Sequence, residues 1–268
     1  MTRVAVAGCG RMGFGMCRAL AEAGFDAKGF DVRPAADYGG FAEHMLSDAN
    51  AVKAHAEVLF TVVRDTRQTD DLLFDDQAVL VGETAVKTLV VSSTLSPNYV
   101  KALAGRVPAG IALIDAPMSG AQVAADEKRL SFMLGGDDDA LNAIQPMLEA
   151  MGTSFHRMGG FGAGMTAKVL NNYVAASSAA STRKVLAWAE ELGLDQAKLL
   201  ALMDASSGQT WFGSNFDAIE FTRDGYHPGN TIHIIAKDVE AALDGVGAPD
   251  DAMGRAFIDV FRNLKPME

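Results

Sequence analysis

The 268-residue chain is long enough to bury a sizeable core as one large domain or two modest ones, and its composition, 49% hydrophobic and 21% charged, is that of a globular enzyme. Thirty-four Asp and Glu against 23 Lys and Arg give a formal net charge of −11, which argues against nucleic acid as the main partner because phosphate backbones attract basic faces. Cys9 and Cys17 make neither a disulfide framework nor a Cys-x-x-Cys pair, and Met1-Thr2-Arg3-Val4 leads into a strand pattern without a signal-peptide stretch, so a reducing, cytoplasmic setting is expected. No charge-free apolar run reaches the roughly 18 residues that mark a membrane helix, so no membrane span is expected.

In chain order, residues 4–7 read as a buried strand, followed by a glycine-rich turn and a helix over about 12–23. Further strands are expected at 27–30, 58–63, 89–91, 111–114 and 132–134. Short helices fit between them; over 97–104, Ser96 is a suitable N-cap and Pro97 suits the first turn. Strands alternating with helices predict an α/β fold with a mainly parallel, doubly wound sheet covered by helices. The character changes after Gly164. Residues 165–192 form one long Ala-, Ser-, Leu- and Val-rich stretch without Pro or Gly, and Gly193 is a credible stop. Helical pattern returns at 196–203, 237–243 and 253–261. Two domains are expected, 1–163 and an all-helical 164–268.

Gly8-Cys9-Gly10-Arg11-Met12-Gly13 is a G-x-G-x-x-G between a predicted strand and a predicted helix. Gly8 permits the tight turn, Gly10 lets backbone approach a pyrophosphate, and Gly13 allows close helix–strand packing. The following helix offers free N–H groups and a positive dipole end to the phosphates. Asp31 ends the second strand, where a Rossmann unit places the acid that accepts the ribose hydroxyls. A carboxylate there repels a 2′-phosphate, so NAD is favoured over NADP, although Arg33 stands nearby. The first domain is therefore expected to be a dinucleotide-binding Rossmann domain.

Lys168 and Asn172 lie four apart on the long predicted helix and share one face. Their neighbours Met165, Ala167, Val169 and Leu170 are apolar, and a lysine withdrawn from water gives up its proton more readily. Together with the glycine motif, four further segments occur in order: Ser92-Ser93-Thr94, Asp115-Ala116-Pro117-Met118-Ser119-Gly120, Gly162-x-Gly164-x-x-x-Lys168-x-x-Asn171-Asn172, and Lys237-Asp238. These motifs cover nearly the whole chain, which resembles the 3-hydroxyisobutyrate dehydrogenase, or β-hydroxyacid dehydrogenase, family.

The resemblance implies a hydride transfer between NAD and a small 3-hydroxycarboxylate such as 3-hydroxyisobutyrate, serine or threonate. Lys168 would take the hydroxyl proton in oxidation and return it in reduction, and Asn172 would orient the substrate. Ser119 and Gly120 correspond to the loop that binds the carboxylate. Lys237 would approach from the helical domain, touching both substrate and cofactor in a cleft between the domains. Gly8, Gly10, Arg11, Met12, Gly13 and Asp31 would hold the dinucleotide, with Val63 and Thr94 on its nicotinamide side. Trp211, in a segment similar to the substrate end of some members, would wall the pocket with Phe212.

Two departures bear on the substrate. The family usually has a second glycine after Ser-Gly, where this chain has Ala121, and Ala-Gly-Thr-Leu where it reads Asp126-Glu127-Lys128-Arg129-Leu130. No metal is expected, since His44, His55, His156, His227 and His233 show no paired ligand spacing. The long alanine-rich helix implies a homodimer or homotetramer. Two other readings stay open: an imine or ketoacid reductase of the same architecture, and a dinucleotide-binding sensor without turnover.

Overall fold

A computed structural model describes residues 2–267, and the chain divides into two compact units, residues 1–168 and 169–268. The first unit opens with β1 (Arg3–Ala7), α1 (Arg11–Glu22) and β2 (Asp26–Phe30), then a 3-10 stretch over Ala35–His44 and α2 (Ala49–His55). It continues through β3 (Val58–Thr61), α3 (Thr66–Leu73), β4 (Thr88–Val91), α4 (Pro97–Leu103) and β5 (Ala112–Asp115). After β6 (Met118–Ser119) come α5 (Ala121–Asp126), β7 (Leu130–Gly136), α6 (Asp138–Met151) and β8 (Gly152–Gly159).

The sheet order is β2-β1-β3-β4-β5-β7-β6, with β8 beside β7. The first five strands are parallel. An isolated parallel bridge joins Gly29 to Met45 at the free edge of β2. Counted as a vestigial strand, it completes the Rossmann order 3-2-1-4-5-6.

Every residue of β3 and four of the five in β1 are buried, because helices cover both faces. Alternate residues divide between the faces. Val4, Val6, Phe60, Val90 and Ile114 pack with Met16 and Leu20 of α1 and Leu141, Ile144 and Leu148 of α6. Ala5, Ala7, Leu59, Leu89 and Val91 pack with Val52, Leu72, Leu73, Val100 and Leu103 from α2, α3 and α4. The doubly wound sheet follows from that two-sided alternation.

The sheet is mixed at one end. β7 runs antiparallel to both β5 and β6, and β8 is parallel to β7. β5 and β6 meet β7 in one continuous antiparallel register, so they run in line, and the chain turns back between β6 and β7 through α5; a parallel return would need a longer crossover.

Most helices begin on a local polar cap. Asp48, Asp65, Ser96 and Asp137 accept from first-turn amides of α2, α3, α4 and α6. The start of α1 is different: its N-cap is Gly10, and no side chain caps it.

The regular elements of the second unit are, among its described residues, all helices. α7 (Ala163–Glu191) begins in the first unit, and its continuation is followed by α8 (Gln196–Asp204), α9 (Trp211–Ser214), α10 (Thr231–Gly245) and α11 (Ala252–Arg262). α7 stops where expected: Gly193 takes φ +68, its N–H bonds Glu190 O, and Leu194 N–H bonds Ala189 O. Those paired bonds are a Schellman ending. Ala176, Ala180, Leu186, Phe212, Phe216, Val239, Leu243 and Phe261 belong to one core. Buried Arg183 donates to three backbone carbonyls in this unit, those of Thr222, Asp224 and Lys265. No helix among the described residues is long and apolar enough to cross a membrane.

Candidate active site

The glycine-rich turn is shaped by sterics. Gly8 takes φ +94, and a Cβ there would lie 2.6 Å from Val62 O and 2.9 Å from Val63 N. A Cβ on Gly13 would lie 2.1 Å from Gly8 O, whereas one on Gly10 would meet nothing within 4 Å. The turn is thus closed beneath, against the end of β3, and open above. The first amides of α1, left without a side-chain cap, are suited to an anionic oxygen. Arg11 is exposed at this helix start, and Met12 packs against the sheet core. These residues fit a dinucleotide pyrophosphate.

At the end of β2, Asp31 accepts from the backbone N–H of Arg33 at 3.0 Å and from its guanidinium at 3.3 Å. The Arg33 guanidinium also donates to Cys9 O and the Tyr38 hydroxyl, both at 2.7 Å, and stacks on the Tyr38 ring. Asp31 holds the Arg33 pKa above its ordinary value, and burial pushes the Tyr38 phenol up. Tyr38 carries no local sequence signal for this contact, and Arg33 signals it only by its place two residues after Asp31.

Beyond β4, the N–H groups of Ser92 and Ser93 both donate to Thr61 O at 3.0 Å, which fixes the loop carrying half-buried Thr94. Ser119 lies on β6 and Gly120 follows it with φ +137. Ala121, where the resemblance leads one to expect glycine, takes φ +58, in the left-handed region that disfavours a side chain.

Asp115, at the end of β5, is fully buried. Its Oδ1 accepts from Gly162 N–H at 2.6 Å and its Oδ2 from Met165 N–H, so it grips the first turn of α7. Burial pushes its carboxyl pKa up, against the downward pull of these amide donors. Lys168 follows one turn later and is 7% exposed. Sequence reasoning quoted Asp115 within a motif but gave it no role; its partners are amides, which leave no side-chain signature.

In the second unit, Asn172 Nδ2 donates to Asp238 Oδ2 at 2.7 Å, and Lys237 Nζ lies 3.0 Å from Asp238 Oδ1. Buried Asp238 therefore gathers two of the expected residues, and its place directly after Lys237 was the available signal. Trp211 opens α9 and is 61% exposed, while neighbouring Phe212 enters the core. Among the described residues, no group of three or more His, Cys, Asp or Glu could hold a metal ion.

Comparisons with known proteins agree with this architecture. Residues 3–160 match the profile of the NAD binding domain of 6-phosphogluconate dehydrogenase, and residues 162–253 match the NAD-binding region of NADP-dependent 3-hydroxyisobutyrate dehydrogenase. The chain is 31% identical to an NAD-dependent L-serine dehydrogenase of Pseudomonas aeruginosa, over 98% of this chain and 92% of that one. It is 30% identical to a 3-hydroxyisobutyrate dehydrogenase of the same organism, over 91% of this chain and 85% of that one. A solved 3-hydroxyisobutyrate dehydrogenase of Mycobacterium tuberculosis with L-serine superposes with a TM-score of 0.78 at 28% identity, covering 99% of this chain and 97% of that one. The cofactor is of the NAD type and the activity that of an NAD(P)-dependent oxidoreductase. The chain belongs to the 3-hydroxyisobutyrate dehydrogenase-like family, within the 6-phosphogluconate dehydrogenase NAD-binding superfamily.

Proposed function

We propose that the protein is an NAD-dependent dehydrogenase of a short 3-hydroxycarboxylate of the 3-hydroxyisobutyrate, serine or threonate class, with Lys168 as general acid/base. The observation that carries this reading is the burial of Lys168 on the second turn of α7, with Asn172 one turn further along and held by Asp238. An amine withdrawn from bulk water can exchange its proton with a bound substrate, the task a dehydrogenase sets its base. Bound NAD supplies the hydride acceptor. In oxidation, Lys168 Nζ takes the hydroxyl proton as hydride leaves the same carbon; in reduction, it returns that proton to the carbonyl oxygen.

Asn172, with one amide N–H engaged by Asp238 and its carbonyl accepting from Asn171 at 3.4 Å, has its second N–H to orient the substrate. Ser119 and the Gly120 N–H receive the carboxylate, and Lys237, next to Asp238, adds a cation. Gly8, Gly10, Arg11, Met12 and Gly13 bind the pyrophosphate, and Val63 and Thr94 flank the nicotinamide. Trp211 shields the substrate end.

The preference for NAD is supported by Arg33. Its Nε–H bonds Asp31 and one Nη group bonds Cys9 O and Tyr38, which directs the guanidinium into this cluster, and the Asp31 carboxylate selects ribose hydroxyls over a 2′-phosphate. Exposed Leu170, Val174 and Trp188 on α7 support a homodimer or homotetramer; a 28.2 kDa monomer in size-exclusion chromatography would remove that part. Two free, buried cysteines suit a cytoplasmic location.

The test is NADH formation across a panel of short hydroxyacids, with NAD and NADP in parallel. The reading expects turnover on at least one 3-hydroxycarboxylate and a preference for NAD of at least about tenfold in kcat/KM. Absence of turnover with both cofactors, despite measurable NADH binding, would overturn it.

A further inference from the structure

The start of α7 is an unusual place for a rigid helix. Gly159, Gly160, Gly162 and Gly164 crowd its approach, and glycine loses more freedom on ordering than any other residue. Gly162, just ahead of Ala163, has no side chain to cap the amides that follow. The helices α2, α3, α4 and α6 of the same unit take their caps from residues directly ahead of them. Here the acceptor is a carboxylate buried at the end of a strand, 47 residues away in sequence from Gly162 and 50 from Met165.

Other contacts fix the same turn. A Cβ on Gly164 would lie 2.4 Å from Met133 O and 2.9 Å from Gly135 N, so this first turn lies directly on the backbone of β7. Leu95 N–H points at Met165 Sδ at 3.3 Å, which ties the turn to the loop carrying Thr94. The loop after β4, the end of β5 and the second half of β7 thus converge on residues 162–165. Lys168 stands three residues past Met165, about 4.5 Å along the helix axis.

A buried carboxylate with no cation among its hydrogen-bond partners is a costly way to cap a helix, and an exposed Ser or Asp would serve stability better. What the buried acid adds is fixed height and rotation for the residue one turn on. We propose that Asp115 is the positioning residue of Lys168: by holding Gly162 and Met165 from the end of β5, it sets where the Lys168 amine stands. This rests on Lys168 being the general acid/base.

The experiment is a double-mutant cycle on the full-length enzyme. Asp115→Asn, Lys168→Ala and their combination are compared in kcat, KM, NADH affinity and thermal unfolding. In the wild-type background, Asp115→Asn should lower kcat by about 100-fold, the scale of a misplaced reacting group. KM and the NADH dissociation constant should stay within about threefold, because ground-state binding is untouched. In the Lys168→Ala background the same change should alter the residual rate by less than about twofold, since nothing remains to be positioned.

A folded Asp115→Asn enzyme with wild-type kcat, or one losing equally in both backgrounds, would overturn the proposal. If Asp115→Asn does not fold, Gly164→Ala displaces the same turn from the β7 side with the carboxylate intact, and enters the same cycle. Failure of both to fold beside a folded Lys168→Ala would assign the carboxylate to stability and overturn the positioning role. Wild-type turnover in Lys168→Ala would instead overturn the acid/base reading, and this proposal with it.

Discussion

The two units handle much of their buried polarity differently, although Asp115 in the first also bonds amides 47 and 50 residues away. In the first, parallel strands satisfy one another's backbone groups, and contacts near the glycine-rich turn are backbone on backbone, with Gly8 over Val62 and Gly13 over Gly8. In the second, side-chain bonds do that work: Arg183 gathers backbone carbonyls 39, 41 and 82 residues away, and the Asp238 carboxylate joins the side chains of Asn172 and Lys237. The glycine-rich turn is therefore most vulnerable to added atoms and the second unit to removed ones.

Four substitutions break or sharpen that contrast. Arg183→Met should have the largest effect, about 3–5 kcal/mol, because it leaves three carbonyls without their shared donor. Both tryptophans, Trp188 and Trp211, lie in the second unit, so urea unfolding followed by tryptophan fluorescence reads that unit directly. A loss under about 1 kcal/mol would mean that water replaces the guanidinium and that the contrast is weak. Gly13→Ala comes next. Its methyl meets a backbone oxygen that cannot swing aside, so the NADH dissociation constant should rise about 100-fold, near 2.7 kcal/mol, in fluorescence titration. Unchanged affinity would show that the turn has slack.

Asp31→Asn leaves the cradle's backbone intact and changes only its chemistry. The ratio of kcat/KM for NAD over NADP should fall about tenfold with little loss of stability, and an unchanged ratio would move selectivity elsewhere. Ala121→Gly should be the smallest effect, and the only gain. Relief of left-handed backbone, about 1–2 kcal/mol, exceeds the 0.4–1 kcal/mol that glycine's extra freedom in the unfolded chain takes back. A net stabilisation of about 0.5–1 kcal/mol in chemical denaturation is expected, and destabilisation would mean that the Ala121 methyl is needed for packing.

Much of the first unit was legible because its constraints are local. Strand, glycine turn and helix are contiguous, so the spacing of Gly8, Gly10 and Gly13 carries the geometry; in the second unit the equally local Gly193 marks the end of α7. What spacing could not carry is contact at a distance. Asp115 meets amides, Arg183 meets carbonyls, and every residue but proline has both, so no pattern of side chains announces either one. The fold-back of β6 and β7 was hidden for a related reason. β6 is two residues long, too short for alternation to register, and the reversal into β7 depends on the connection through α5 rather than on composition. Asp238 was visible beside Lys237, yet only the folded second unit links it to Asn172.

The central claim is that Lys168 exchanges the substrate proton, and chemical rescue tests it most directly. Lys168→Ala should fold, bind NADH normally and lose about 100- to 10,000-fold in kcat, the range attributed to a positioned acid/base. Small primary amines added to the assay should restore part of that rate, the more so the better their pKa matches the working pH. A Lys168→Ala enzyme that turns over at the wild-type rate, or a deep loss that no amine restores while NADH still binds, would contradict the account.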